Sequence, residues 1–299
     1  MQKKSLKPII KLRSDITYPD RSQHIPAFIV KIEELVLSNG KPNMRMIQDI
    51  NDAGGLHEFL DTSGQVIFTF IMPDWLLERL TLDTCFYLFD EFQPDFYITM
   101  DAPTYAGCLR YSRNQIDLVL DHTVKMMRWF PDSVPIGLIK GGNFDQMDFH
   151  SHELRELGVT EFCLHAGDCS HDAPIYAQDL IVDSGRALAE RVPQLMVYGV
   201  GSKRSFQRFH FANSFATNSH YIQTFNHRVI QGSTWTNFKG DFTKKIVIHN
   251  YEYLRRLVEL KSDVREISEW ASKTIADENL VKFSGASTLD QRIVKILEN

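Results

Sequence analysis

A chain of 299 residues is long enough to bury a full core, and its 43% apolar and 24% charged residues exclude a disordered or fibrous protein. No apolar run reaches the roughly 18 residues of a membrane span, and the basic opening MQKKSLKPIIKLR lacks the apolar core and cleavage site of an export signal, so a cytoplasmic protein is expected. The net charge of −5 conceals an asymmetry: residues 203–261 hold ten Lys or Arg against three acids, while residues 14–202 hold 13 against 28. A basic segment beside an acidic body points to a polyanion, nucleic acid above all, on one face.

In chain order, seven short apolar runs end in polar or glycine positions. They are HEFLDTSG (57–64), DFYITMDAP (95–103), VPIGLIKGG (134–142), EFCLHAGD (161–168), QLMVYGVGS (194–202), NSFATNSH (213–220) and KKIVIHN (244–250). Between most of them lie stretches of helical length, of which residues 117–130 and 180–192 show apolar residues at i, i+3, i+4 spacing. The chain closes on STLDQRIVKILEN (287–299), which reads as a last helix with Ser287 and Asp290 as a capping pair. Buried strands alternating with helices imply parallel βαβ units. About seven or eight such units in this length fit a (β/α)8 barrel better than a doubly wound open sheet, which alternates as well. No Gly-, Pro- or Ser-rich linker interrupts the chain, so one domain over residues 1–299 is expected. The cysteines, Cys85, Cys108, Cys163 and Cys169, form no Cys-x-x-Cys pair, which predicts reduced thiols and no zinc ribbon.

A barrel of this kind places its active site at the C-terminal ends of the strands. The residues that close the runs are therefore the candidates: Asp61, Asp101, Lys140-Gly141-Gly142, Gly167-Asp168, Gly199 and Gly201, Asn218, and His249-Asn250. Carboxylates at such a mouth can serve as nucleophile or general base at a sugar carbon. Glycines let backbone amides approach a flat ring, and Tyr198 beside the Gly-x-Gly turn could stack on it. A single Asp at a strand end also caps helices, and a glycine pair also serves turns. His249, on an apolar run, suits a hydrogen-bonded structural role with Asn250.

The ordered set resembles the tRNA-guanine transglycosylase superfamily, including its DNA-modifying branch, the 7-deazaguanine DNA transglycosylases. FLDTSGQ (59–65) and TMDAPTY (99–105) are similar to the family's two aspartate segments, GLIKGGNFD (137–145) to its Gly-Ile-Val-Gln-Gly-Gly, and LHAGD (164–168) to its base-amide glycines. VYGVGS (197–202) resembles the Met-Gly-Val-Gly turn with Tyr198 in place of Met, and IHNYEYLRRL (248–257) resembles the family's His-Asn segment. The resemblance implies exchange of guanine in nucleic acid for a 7-deazaguanine base by a carboxylate nucleophile, without a cofactor. It implies Asp61, Asp101 and Asn218 as the catalytic positions, with the base held by Lys140, Gly141, Gly142, Gly167, Asp168, Tyr198, Gly199 and Gly201. Lys203, Arg204, Lys239, Lys244 and Lys245 would take phosphates.

Three departures stand out. No Cys lies between Asn218 and His249, so the family's zinc site is not expected and no metal is predicted. Only about 40 residues follow Leu260, which leaves no room for the family's RNA-binding domain and favours DNA over tRNA. ATNSHY (216–221) puts Asn218 where the family has its nucleophilic Asp, and QGSTWTN (231–237), an alternative match, also lacks the acid. An amide cannot attack as a carboxylate does. Either Asp61 or Asp101 carries the chemistry, or the chain is a non-catalytic nucleic-acid-binding relative.

Overall fold

The computed structural model describes residues 4–10, 12, 27–166, 175–239, 244–259 and 264–278. Eight parallel strands close into a barrel: β1 (Ser5–Ile10), β2 (Ala27–Lys31), β3 (Gln65–Thr69), β4 (Phe96–Ile98), β5 (Val134–Ile139), β6 (Glu161–His165), β7 (Gln194–Tyr198) and β8 (Ser214–Thr217). Closure is made by β1 on β8, with Ser5 opposite Ser214 and Pro8 opposite Thr217. That pairing distinguishes the barrel from an open sheet, and the fold is a (β/α)8 barrel.

The connecting helices are α1 (Met44–Asp52) and the short α2 (Leu56–Phe59) before β3, then α3 (Asp74–Leu77) and α4 (Leu82–Phe92) before β4. They continue with α5 (Leu109–Trp129), α6 (Phe144–Glu156), α7 (Ile175–Ala189) and α8 (Lys203–Arg208). Their starts follow from local chemistry. Asn43, Thr81, Asn143 and Ser202 each accept a backbone N–H of the first turn through the side chain.

Strand burial is two-sided. Ile29, Ile67, Ile98, Leu138, Cys163 and Met196 meet inside the barrel, while alternate residues such as Phe68 and Tyr97 pack outward on Phe89 of α4 at 5.5 and 5.2 Å. The strands therefore read as continuous apolar runs rather than alternating ones.

Two expected strands are otherwise. In HEFLDTSG the first residues belong to α2, Asp61 takes a left-handed backbone (φ 49°), and the Thr62 hydroxyl accepts the Gly64 N–H at 2.9 Å before β3 begins. KKIVIHN is the first half of a helix, α10 (Lys244–Glu259), in which Ile246, Val247, Asn250, Tyr251 and Leu254 are buried at helical spacing. A seven-residue apolar window cannot separate the two periods. Conversely, β1, β2 and β3 lie outside the expected runs. Lys7 and Pro8 disguise β1, although Lys7 sits inside the barrel near Glu161 (4.0 Å), where burial pulls its ammonium below the ordinary range against the raising effect of Glu161. The expected helix 287–299 lies outside the described residues.

Where one domain is expected, contacts divide the chain into two compact units, Met1–Asn218 and Ser219–Asn299. The first is the barrel. The second contains α9 (Ser219–Phe225), an antiparallel ribbon of β9 (Arg228–Gln231) and β10 (Thr234–Asn237), α10, and α11 (Val264–Glu278). Val229, Phe238, Ile246 and Ile275 form its core. No helix among the described residues is long and apolar enough to cross a membrane.

Candidate functional site

The C-terminal mouth of the barrel opens into a cavity of ≈ 660 Å³. Strand ends supply its walls, and two threonines show how. Thr99, just past β4, accepts the Leu138 N–H through its hydroxyl at 2.9 Å, so the chain leaves the sheet and Asp101 turns into the cavity. Thr69, the last residue of β3, accepts the Ile71 N–H at 3.1 Å and swings the following segment, with Asp74, to the rim.

The charged centre is the pair Lys140–Asp101. Lys140 Nζ lies 2.7 Å from Asp101 Oδ1, and the two side chains are 13% and 8% exposed. Asp101 Oδ1 also accepts the Ala102 N–H at 2.7 Å. Lys140 is fixed from behind: its backbone N–H donates to Nδ1 of His150 on α6 at 3.1 Å. This makes His150 a neutral imidazole protonated on Nε2, and full burial pulls its pKa down to about 3. A second pair, Lys31 with Glu33, stands at the end of β2.

The remaining wall is aromatic and amide. Tyr198, at the end of β7, is buried with the barrel core and meets the His165 ring edge-on at 5.6 Å. Burial pushes its phenol above the ordinary range. Gly199 follows with φ 89°, a conformation that a side chain would strain. Asn218 follows β8 and completes the lining.

Five expected residues thus converge on one cavity: Asp101, Lys140, Tyr198, Gly199 and Asn218. Asp61 does not. It precedes β3, exposed on the N-terminal rim, opposite the cavity, so it cannot face Asp101 across a base. Gly141 and Gly142 serve the turn into α6: the Gly142 N–H donates to Gln146 Oε1 at 2.9 Å, and a Cβ on Gly141 would lie 2.6 Å from the Met147 nitrogen. Gly167 and Asp168 lie outside the described residues. Gly201 is half-buried beyond the lining, and Lys203 and Arg204 are exposed on α8, on the cavity side of the barrel.

Lys239, Lys244 and Lys245 belong to the second unit, as do His249 and Asn250. His249 Nε2 donates to the Ile230 carbonyl at 2.9 Å, and its ring stacks on Trp270 at 5.3 Å. Asn250 accepts from the Ile230 N–H at 2.9 Å and donates to Thr224 Oγ1 and the Arg228 carbonyl at 2.8 and 3.1 Å. Both bind the β9 strand to α10, a structural task. Among the described residues no three His, Cys, Asp or Glu side chains are grouped to hold a metal ion.

Lys31, Glu33, Asp74, Tyr105 and His165 also line the cavity and were not among the expected residues. The signal for the first two was present: AFIVKIEE is a β-branched run closing on charges. No protein-family model matches the chain, and no curated protein matches its sequence.

Proposed function

We propose that the mouth cavity binds a nucleobase and that the chain is a base-exchange transglycosylase acting on guanine in DNA, with a 7-deazaguanine base as co-substrate. One observation carries this reading. Asp101, Lys140, Tyr198, Gly199 and Asn218, which the resemblance names from five separate segments, line a single cavity large enough for a purine. Three carboxylates line the cavity, Glu33, Asp74 and Asp101; Asp101 is the one the resemblance names, and Asp61, the other, is on the opposite rim. The Asp101 oxygen attacks the anomeric carbon, the carbon–nitrogen bond breaks with its electron pair leaving on the base, and a glycosyl ester forms. The departing base takes up a proton at that nitrogen, the incoming base gives up its own ring N–H proton as it displaces Asp101, and two inversions restore the configuration. Lys140 supplies a positive charge beside the carboxylate, and Tyr198 with the Gly199 backbone forms the wall against which a flat base rests. The exposed cations of α8 suit backbone phosphates.

A second reading is a base-binding relative without catalysis. It is favoured by Asn218, whose amide stands in the cavity at the position where the resemblance expects the nucleophile, and by the engagement of Asp101 with Lys140. Exchange of radiolabelled guanine into DNA, run beside tRNA, separates the two. Exchange supports the enzyme; guanine binding without exchange supports the relative. Asn218→Asp sharpens the outcome. If Asn218 occupies the place of a lost nucleophile, the variant gains exchange activity. If Asp101 is the working carboxylate, a second carboxylate in the same cavity disfavours the charged form of both and slows exchange.

A further inference from the structure

The outer edge of the cavity carries three aromatic side chains held in solvent: Trp75 is 49%, Tyr105 48% and Tyr111 43% exposed. Tyr105 lines the cavity, and its ring stacks on Tyr111 with centroids 6.0 Å apart and planes 24° apart. Its hydroxyl donates to Asp74 Oδ2 at 3.3 Å, and Trp75 is the next residue along the chain, so all three rings belong to the segments that form this side of the mouth.

The loop that carries Tyr105 is held in place. The buried Ser112 hydroxyl accepts the Tyr105 N–H at 2.8 Å and donates to the Tyr105 carbonyl at 3.1 Å. The Cys108 N–H donates to the same carbonyl at 3.1 Å. Gly142 presses on this loop so closely that a Cβ would lie 2.5 Å from the Tyr105 carbonyl oxygen, and Gln146 Nε2 donates to the Leu109 carbonyl at 2.7 Å. These bonds fix the backbone of the Tyr105 loop while its ring stays half in water, and exposed aromatic faces on a fixed loop suit a recognition surface. Cations accompany the rings. The Arg79 guanidinium stands 5.5 Å from the Trp75 ring centre, and Arg110 is exposed between Leu109 and Tyr111.

We propose that this rim is a stacking platform for unpaired nucleobases, receiving the nucleotides that flank the base held in the cavity, so that the substrate is engaged as a single strand. The inference rests on the nucleobase reading of the cavity. Aromatic faces stack on any base, arginines take the adjoining phosphates, and a duplex keeps its base faces covered. DNA and RNA share this chemistry, and the experiment distinguishes them.

Fluorescence anisotropy with short labelled single-stranded DNA, single-stranded RNA of the same sequence, and the DNA duplex tests the platform on the full chain. The single strand is expected to bind at least about tenfold more tightly than the duplex, and Tyr105→Ala and Trp75→Ala each to weaken it by about tenfold. Tyr111→Phe keeps the stacking face and is expected to bind as the wild type does. The preferred strand names the nucleic acid. Because the rings are exposed, the variants should keep the wild-type thermal midpoint. Single-strand affinity unchanged in the Tyr105→Ala/Trp75→Ala double variant, a duplex bound as tightly, or no binding of any oligonucleotide overturns the platform. Calorimetry with free guanine reports on the cavity alone, so absence of guanine binding beside ring-dependent oligonucleotide binding overturns the cavity reading and its link to the rim, and leaves only the stacking of unpaired bases on the rings.

Discussion

The barrel mouth and the His249–Asn250 cluster are both polar groups set in apolar surroundings, and they differ in where their hydrogen bonds go. In the second unit, Asn250 uses its amide three times on Ile230, Thr224 and Arg228, and His249 closes on the Ile230 carbonyl. Those bonds fasten a ribbon to a helix. At the mouth, Lys140 and Asp101 hold each other, yet both border a cavity shared with His165, Asn218 and a second ion pair. Buried polar atoms that satisfy one another build structure. Those at the mouth border open space instead.

Breaking each side of this contrast should give different kinds of loss. The largest is expected at the mouth: Asp101→Asn should lower guanine exchange by about a thousandfold or more, as loss of a nucleophile does. It should also destabilise the fold by stranding Lys140, and a second change, Lys140→Met, should restore stability but not exchange. Stability returning together with activity would make the pair purely structural.

Next is Asn250→Ala, which orphans buried groups on two segments, α9 and β9, and should cost about 3–5 kcal/mol by chemical denaturation without changing guanine affinity per folded molecule. A loss under about 1 kcal/mol would remove Asn250 from its fastening role.

A third test uses pH. His150 and His220 are fully buried with pKa values lowered to about 3, below the ordinary 6.5. The unfolded chain therefore binds the extra protons. Stability from these groups is complete above pH 6.5 and falls as pH drops towards 3, by about 1.4 kcal/mol per pH unit for each histidine. His220→Phe, which keeps the edge-on packing against Tyr251, should flatten the acid slope by about one proton. An unchanged slope, read from denaturation midpoints across that range, would mean that His220 titrates normally.

The smallest effect is expected on the far rim. Asp61→Asn suits the left-handed backbone there and should alter stability by less than about 0.5 kcal/mol and exchange not at all. A large loss of exchange would reopen the assignment of the site.

Much of the barrel was legible in the sequence because strands buried on both faces read as unbroken apolar runs, and β4 to β8 were found that way. The site residues they carry, Asp101, Lys140, Tyr198, Gly199 and Asn218, came with them. Of the first three strands, β1 and β3 were hidden for physical reasons, whereas β2, the plain apolar run AFIVK, carried its signal and was passed over. An inward lysine and a proline interrupt β1, and a left-handed turn at Asp61 imitates a strand end just ahead of β3. Lys31, Glu33 and Asp74 were lost with those strands, since a residue cannot be placed at a strand end when the strand is unseen. KKIVIHN failed in the opposite direction. Its β-branched residues suit a strand, and only the wider pattern through Leu254 reveals the helix.

Closure of β1 on β8 also governs the order in which the molecule can form. Ser5 and Ser214 are partners across more than 200 residues, and contacts of such separation are made late and slowly. On the ribosome β1 must wait, unpaired on that edge, until β8 emerges. Asn218 follows β8 directly and Lys31 ends the strand beside β1, so the two sides of the cavity meet only when this last seam closes. A nascent or truncated chain ending before β8 would expose two sticky strand edges, which is a demand for chaperone protection. The cavity is therefore complete only at the final step of folding, and any ligand that entered it would favour that step over reopening.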